Sequence, residues 1–361
     1  MILYSILNTN PMCVICNYIT TGDIDPNVKK IDCRGCAKIT VIPCIPNLIK
    51  LNCSYCMNLK EISVSPNLME LDCGNCKNLT SIPVFPTLET LFCMGCTSLI
   101  TIPFIHTLTN LYCIDCTALT SIPVLPRLYL LQIWGCKNLE SIPVLHSLTL
   151  LNGKDCAKLK IIPELPNLKE LYCDCCENLT TISSLPKLKV LYCEDCKNLA
   201  SIPLFPSLES LHCDECTSLT TIPVLPKLTE LFCNNCTALT SIPVLPKLTH
   251  LFCGACTNLT TIPILPELER LCCEECTILT SVPCYNDIPD VHKVDCEGCK
   301  WIYLEDGFEE NILSLKRCQA IFKRKLTARK LESIIPAITE LYYSPGCKGE
   351  FLARKHYLSK I

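Results

Sequence analysis

Glycine is scarce, with only 11 in 361 residues. Neither G-x-G-x-x-G nor a phosphate-cradling loop occurs, which excludes the common nucleotide-binding signatures. Charge is also scarce: 19% of residues are charged and the net charge is -3, so no broad basic field invites nucleic acid. Prolines and polar residues break every apolar run short of the roughly 18 residues that suggest a membrane-spanning helix, so no membrane partner is expected. The opening stretch MILYSILNTNPMC has no basic n-region and only a very short apolar run, and it is not read as a signal peptide. Six histidines lie scattered without a Ser/Asp or Cys constellation around them. An enzyme is therefore not expected, and no catalytic, cofactor-binding or metal-ligating residue is assigned.

What is abundant is a repeat. Leu48, Leu68, Leu88, and so on to Leu268, open units of 20 residues, with Val28 opening a looser one. In the stretch from Leu248 to Pro266, leucines occupy the first, fourth and twelfth places (Leu248, Leu251, Leu259). Cysteines take the sixth and ninth (Cys253, Cys256), and Ile262, Pro263 and Pro266 close the unit. A fixed period of this length, in which no single unit can bury its apolar face alone, predicts a solenoid of stacked coils. Leu251, Phe252 and Cys253 alternate in, out, in, the mark of a short strand. Stacked in parallel at about 4.8 Å, some 14 such strands give a narrow sheet roughly 65 Å long. The remainder of each coil is too short and too rich in proline for a helix, and predicts an extended polyproline II back. Ser63 and Ser183 replace the first proline, and His106 and His146 the second, which places those histidines in surface turns.

Of the 34 cysteines, 28 keep the sixth- or ninth-place register, from Cys13 and Cys16 to Cys296 and Cys299. Ile133 and Gly153 take the sixth place in two units, so a cysteine there behaves as a small hydrophobe. Buried, reduced thiol ladders are the main reading. Because CxxC is also a common zinc half-site, a metal-binding or redox-buffering cysteine array is the alternative.

The unit resembles a leucine-rich repeat whose twelve-residue core is of the cysteine type, joined to the IPxLP back of the 20-residue bacterial-effector class. The near-identical, cysteine-heavy copies also resemble uncharacterised leucine-rich repeat proteins encoded by giant DNA viruses. The resemblance spans about 270 residues and implies a leucine-rich repeat solenoid, with short parallel strands on the concave face. For function it implies protein binding only. With no secretory signal read and the thiols expected reduced, the expected compartment is the cytoplasm, the host cell's if the chain is viral. Some bacterial effectors of this class carry a ubiquitin-ligase domain, for which the 60 or so residues after the repeats are too few.

Residues 1–27 read as an N-terminal capping coil, 28–300 as the solenoid, and 301–361 as a helical C-terminal cap and basic tail. An open coil end exposes core and unpaired strand edge, so caps are required. Trp301, Ile302 and Leu304 are the expected cover at the C-terminal end. From Glu309 to Ile338 apolar positions alternate with a basic face that includes Lys323, Arg324 and Arg329. A solvated cap and a calmodulin-type target helix both fit that stretch, although it lacks the isoleucine and the glycine of an IQ motif.

Candidate binding residues lie at outward strand positions. The fifth place carries Phe92 and Tyr112, then Gln132 and Asn152, then Tyr172, Tyr192, His212, Phe232 and Phe252. Beside the longer run, at the seventh and eighth places, lie Asp174, Glu194, Asp195, Asp214 and Glu215. Aromatic anchors flanked by acids suit a protein partner with a basic, partly apolar segment. The same row also arises if in-register rings simply stack along the sheet. Oligomeric state is not legible in the sequence.

Overall fold

The computed structural model describes residues 13–21, 25, 27–280 and 294–295. The expected C-terminal helical cap and basic tail, and the last CxxC at Cys296 and Cys299, lie outside the described residues.

Each coil contributes one three-residue strand, from Lys30–Asp32 to Arg270–Cys272, and the strands stack in sequence order. Val294–Asp295 completes a 14-stranded parallel sheet. Partners are 20 residues apart throughout the repeats, as in Leu231↔Leu251. The last pairing, Leu271↔Val294, is 23 apart and absorbs the three residues inserted after Pro283. The in-out-in alternation is as expected: Leu251 and Cys253 are fully buried, while Phe252 is half-exposed. Seven places per coil form the continuous core, which in one unit are Leu248, Leu251, Cys253, Cys256, Leu259, Ile262 and Leu265.

The ninth-place thiols bind the coils together. From Cys56 to Cys276, each of twelve Sγ atoms donates to the carbonyl of the sixth residue in the preceding coil, at 3.0–3.2 Å. A buried carbonyl at a turn needs a donor, and a thiol is small enough to supply one inside the core. Asparagines at the eleventh place act similarly nearer the surface: Asn78 Nδ2 reaches the Met57 carbonyl at 2.8 Å.

Immediately before each ninth-place cysteine the chain passes through left-handed backbone. Thirteen successive coils do so at the eighth place. Three have glycine there, and ten have another residue with φ between 53° and 60°. Asn and Asp tolerate this region, but Tyr55, Cys175, Glu215, Ala255 and Glu275 do not do so readily. Inter-coil bonds hold the conformation in place, as when the Asp195 N–H donates to the Asp214 carbonyl at 2.8 Å.

The back of the coil is extended, as expected, and it carries a further feature before the Pro-x-x-Pro segment. An interrupted second set of parallel pairings joins the fourteenth places of some adjacent coils, through bridges such as Thr101↔Ser121 and Ser241↔Thr261. It widens to two-residue strands at Val41–Ile42 with Glu61–Ile62, and at Ile161–Ile162 with Thr181–Ile182. The cause lies in the next residue. Where serine replaces proline, its N–H adds a rung: Ser63 to the Ile42 carbonyl at 2.8 Å and Ser183 to the Ile162 carbonyl at 2.9 Å. Proline has no N–H, so elsewhere the ladder stops one rung earlier.

The N-terminal cap departs from the expected incomplete coil. Val14–Thr21 is an eight-residue α-helix that buries Ile15 and Cys16 against the first coil. No described helix is long and apolar enough to cross a membrane.

Candidate functional site

Parallel in-register pairing brings every fifth-place side chain next to its counterparts one coil away. Tyr172, Tyr192, His212, Phe232 and Phe252 consequently form one stack. Successive ring centroids are 5.1, 3.9, 4.3 and 4.6 Å apart, with interplanar angles of 21°, 9°, 8° and 5°. The Arg270 guanidinium closes the C-terminal end, 5.0 Å from the Phe252 centroid. Phe92 and Tyr112 form a separate pair at 4.6 Å, cut off by Gln132 and Asn152, so the row is broken where the sequence breaks it. Stacking covers ring faces, and the half-exposed surface that remains is made of ring edges and tyrosine hydroxyls. Tyr172 Oη donates to Glu170 Oε2 at 3.2 Å. Ser210 Oγ lies 3.1 Å from His212 Nε2. Burial between Tyr192 and Phe232 lowers the His212 pKa despite the neighbouring Asp214 and Glu230, and the ring is neutral at pH 7.

The acids divide into two kinds. Asp174 is buried, accepts the Glu194 N–H at 3.0 Å and lies 3.4 Å from Lys154 Nζ, so it fastens the turn and offers little to a partner. Asp214 likewise accepts the Asn234 N–H, at 2.6 Å, though it is half-exposed. Glu194, half-exposed between them, has its pKa raised by burial and by the charges of Asp174 and Asp214. Its near neighbour His212 Nδ1, at 3.9 Å, brings no charge in the neutral state. Asp195 and Glu215 are eighth-place residues in the left-handed turn. Asp195 pairs with Lys197 at 3.1 Å, and Glu215 is exposed. The rings and the acids Glu194, Asp195, Asp214 and Glu215 thus share one face, with a local excess of negative charge.

One surface feature escaped the sequence reading. The residue between the two prolines of each back is exposed and mostly apolar: Val84, Phe104 and Val124 are 55%, 56% and 53% exposed, and Val244 and Ile264 are 55% and 68%. Its only sequence signal was a hydrophobic residue at the seventeenth place, out of phase with the buried Ile and Leu on either side. His106 and His146 lie exposed in the turns where proline was expected. A shallow groove lies away from the rings, lined by Asn47, Ile49, Asn67, Met69, Thr87 and Glu89.

The ladder thiols are shifted in both directions: the hydrogen bond from a neighbouring sixth-place thiol lowers Cys56, Cys116 and Cys256. Burial pushes the Cys156 thiol up to about 12 and raises Cys136 and Cys176 further. Among the described residues one group of three cysteines comes together outside the ladder: Cys13, Cys16 and Cys36. By sequence all three keep the repeat register, Cys13 at the sixth place and Cys16 and Cys36 at the ninth.

Neither a protein-family model nor a curated protein matches the chain. Among solved structures it is similar to a leucine-rich repeat protein from Bacteroides ovatus ATCC 8483, at 17% identity over 76% of this chain and 88% of that one, with a TM-score of 0.46. It is similar also to a leucine rich cell surface protein from Faecalibacterium prausnitzii A2-165, at 18% identity over 71% and 82% of the two chains, with a TM-score of 0.35. A leucine-rich repeat protein from Eubacterium ventriosum ATCC 27560 is 14% identical over 80% and 86%, with a TM-score of 0.39. These are likenesses of fold: the chain is a parallel-strand solenoid with a leucine-rich, twenty-residue coil.

Proposed function

We propose that this chain is a non-enzymatic interaction scaffold. It binds a protein partner through the sheet face between Tyr172 and Phe252, the concave side in solenoids of this kind. One observation carries the reading: the stacked rings are bordered by Glu194, which sits between Asp174 and Asp214, where burial and then the charges of those two acids raise its pKa. A lysine or arginine of a partner relieves that repulsion, while apolar groups beside it cover the ring edges. The rings are fixed by stacking before binding, so little side-chain entropy is lost. A basic, partly apolar peptide segment is the ligand chemistry that fits.

The alternative, a metal-binding or redox-buffering cysteine array, draws no support from the ladder. A ninth-place thiol that donates to a carbonyl has its proton engaged in that bond and packs as part of the core. The same bonds require reduced sulfur, which favours a reducing compartment such as the cytoplasm.

Selection of a random peptide display library on the immobilised full chain tests the proposal. Enrichment of sequences combining Lys or Arg with apolar residues, lost with the Tyr192→Ala/Phe232→Ala chain, is the expected result. No enrichment, or enrichment equal on both chains, refutes it, and in the second case moves the site to the apolar back.

A further inference from the structure

From Cys36 to Cys276, among the described residues, the thiol ladder has one exception, and it occurs where the helix meets the first coil. Cys36 is a ninth-place cysteine, but it does not donate to a carbonyl of the preceding turn as the twelve after it do. The corresponding residue of the cap is Cys13, whose carbonyl accepts the Asn17 N–H at 2.9 Å because a helix begins there. Cys36 Sγ lies instead 3.4 Å from Cys13 Sγ and 3.4 Å from Cys16 Sγ, and all three sulfurs fall within 4.8 Å of one another.

Backbone donors reach two of the three sulfurs. The Cys16 N–H points to Cys13 Sγ at 3.4 Å, and the N–H groups of Lys38 and Ile39 donate to Cys36 Sγ. Such outer contacts orient thiolate ligands and favour the charged form. A tetrahedral zinc with bonds of about 2.3 Å needs sulfurs about 3.8 Å apart, so the two 3.4 Å separations from Cys36 need to open by only a few tenths of an ångström. Cys13 and Cys36 are half-exposed, which leaves an entry path for the ion.

We propose that Cys13, Cys16 and Cys36 form a zinc site that fastens the N-terminal helix to the first coil, with water or another exogenous donor as the fourth ligand. Each thiol releases its proton to solvent as its sulfur–zinc bond forms. Cys33 completes a C-x2-C-x16-C-x2-C spacing of the kind that reads as a zinc framework. Its sulfur, however, donates to the Asn52 carbonyl at 3.4 Å and stays in the ladder. Three thiolates select a soft or borderline ion, and zinc is the one that tolerates a fourth oxygen donor in tetrahedral geometry. An eight-residue helix is marginal alone, so the ion would supply what its short apolar face does not.

The test uses the full chain, purified under reducing conditions without a metal-affinity tag. Native mass spectrometry and elemental analysis are expected to give one zinc per chain, absent from Cys36→Ser and retained in Cys233→Ala. Cobalt(II) in place of zinc is expected to give a thiolate-to-cobalt charge-transfer band and the intense visible bands of tetrahedral geometry. In the wild-type chain, zinc should protect Cys13, Cys16 and Cys36 from alkylation, and a chelator should expose these three and no ladder cysteine. If Cys36→Ser fails to fold, the wild-type cobalt spectrum and alkylation map decide. No bound zinc and no cobalt bands, zinc that survives Cys36→Ser, or several zinc ions per chain spread over the ladder would each overturn the proposal.

Discussion

Ile133 Cδ1 lies 3.6 Å from the point that a Cβ on Gly153 would occupy, with Ile133 Cγ1 at 3.8 Å. These residues replace the sixth-place cysteines of adjacent coils, and the larger side chain grows into the space that the smaller one leaves. The pair conserves volume across two rungs of a ladder in which every other member is cysteine. Ile133→Cys alone should cost about 1–2 kcal/mol through a cavity, and Gly153→Cys alone about 1–3 kcal/mol through overpacking. The double variant should recover about 1 kcal/mol or more of their sum. Denaturant unfolding of the four chains measures the coupling, and strict additivity would show that the two sites pack independently.

The left-handed eighth place leads to a stabilising substitution. Ala255 has φ of 55° and a side chain too small to have made contacts worth keeping. Ala255→Gly should raise stability by about 0.5–1 kcal/mol. Gly135, with φ of 74°, is the reverse case, because a Cβ there would meet Asp115 Oδ1 at 2.1 Å. Gly135→Ala should destabilise by more than Ala255→Gly stabilises, as read from the shift in unfolding midpoint.

The thiol ladder predicts graded costs. Cys233→Ala removes one buried sulfur and should cost about 1 kcal/mol. Cys236→Asp places a carboxylate against the Cys213 carbonyl that now accepts the Cys236 thiol at 3.1 Å, and should unfold that region. Thiol titration of the native chain should find the exposed Cys44 reactive and the ladder silent until denaturant is added. Ready reaction of most ladder thiols in native protein would contradict the packing described here.

His212 and Glu194 give opposite pH dependences. His212 has a folded pKa below its ordinary 6.5, so the unfolded chain binds more protons near that pH, and stability falls as pH drops below about 6.5. His212→Phe should keep the stack and remove that loss. Glu194 has a folded pKa above its ordinary 4.5, so the folded chain binds more protons there, and stability falls as pH rises through that window. Glu194→Gln should flatten it. Unfolding midpoints between pH 4 and 8 for three chains separate the two contributions.

Binding at the ring face predicts a division of kinetic roles. Tyr192→Ala with Phe232→Ala should raise the dissociation rate of a basic, partly apolar peptide with folding intact, because ring edges supply buried area. Reversing Asp195 and Glu215 to lysine should slow association instead, most visibly at low salt. Peptide affinity should also rise as pH increases through the range in which Glu194 ionises. Surface kinetics at two salt concentrations and across that pH range check all three, and unchanged rates in both sets of variants would place contact elsewhere.

The sequence by itself determined the period, the in-out alternation, the strand register and the break in the aromatic row. A solenoid repeats one local conformation, so a spacing of 20 along the chain becomes a neighbour in space, as with Leu231 and Leu251. It also marked Ser63 and Ser183 as departures, but their consequence needed the second ladder, which exists only once the back of each coil lies against the next. Only the tertiary structure decided which outward acids are accessible. Asp174 and Glu194 occupy the same place in the repeat, yet one is buried against Lys154 and the other is half-exposed. The meeting of Cys13, Cys16 and Cys36 was likewise decided in three dimensions. In register they read as three more rungs, and the helix at Val14–Thr21 takes Cys13 out of the ladder and turns its sulfur toward the other two. A repeat pattern specifies what each coil does beside an identical coil, whereas the conformation of its end depends on what the last coil has no copy to pack against.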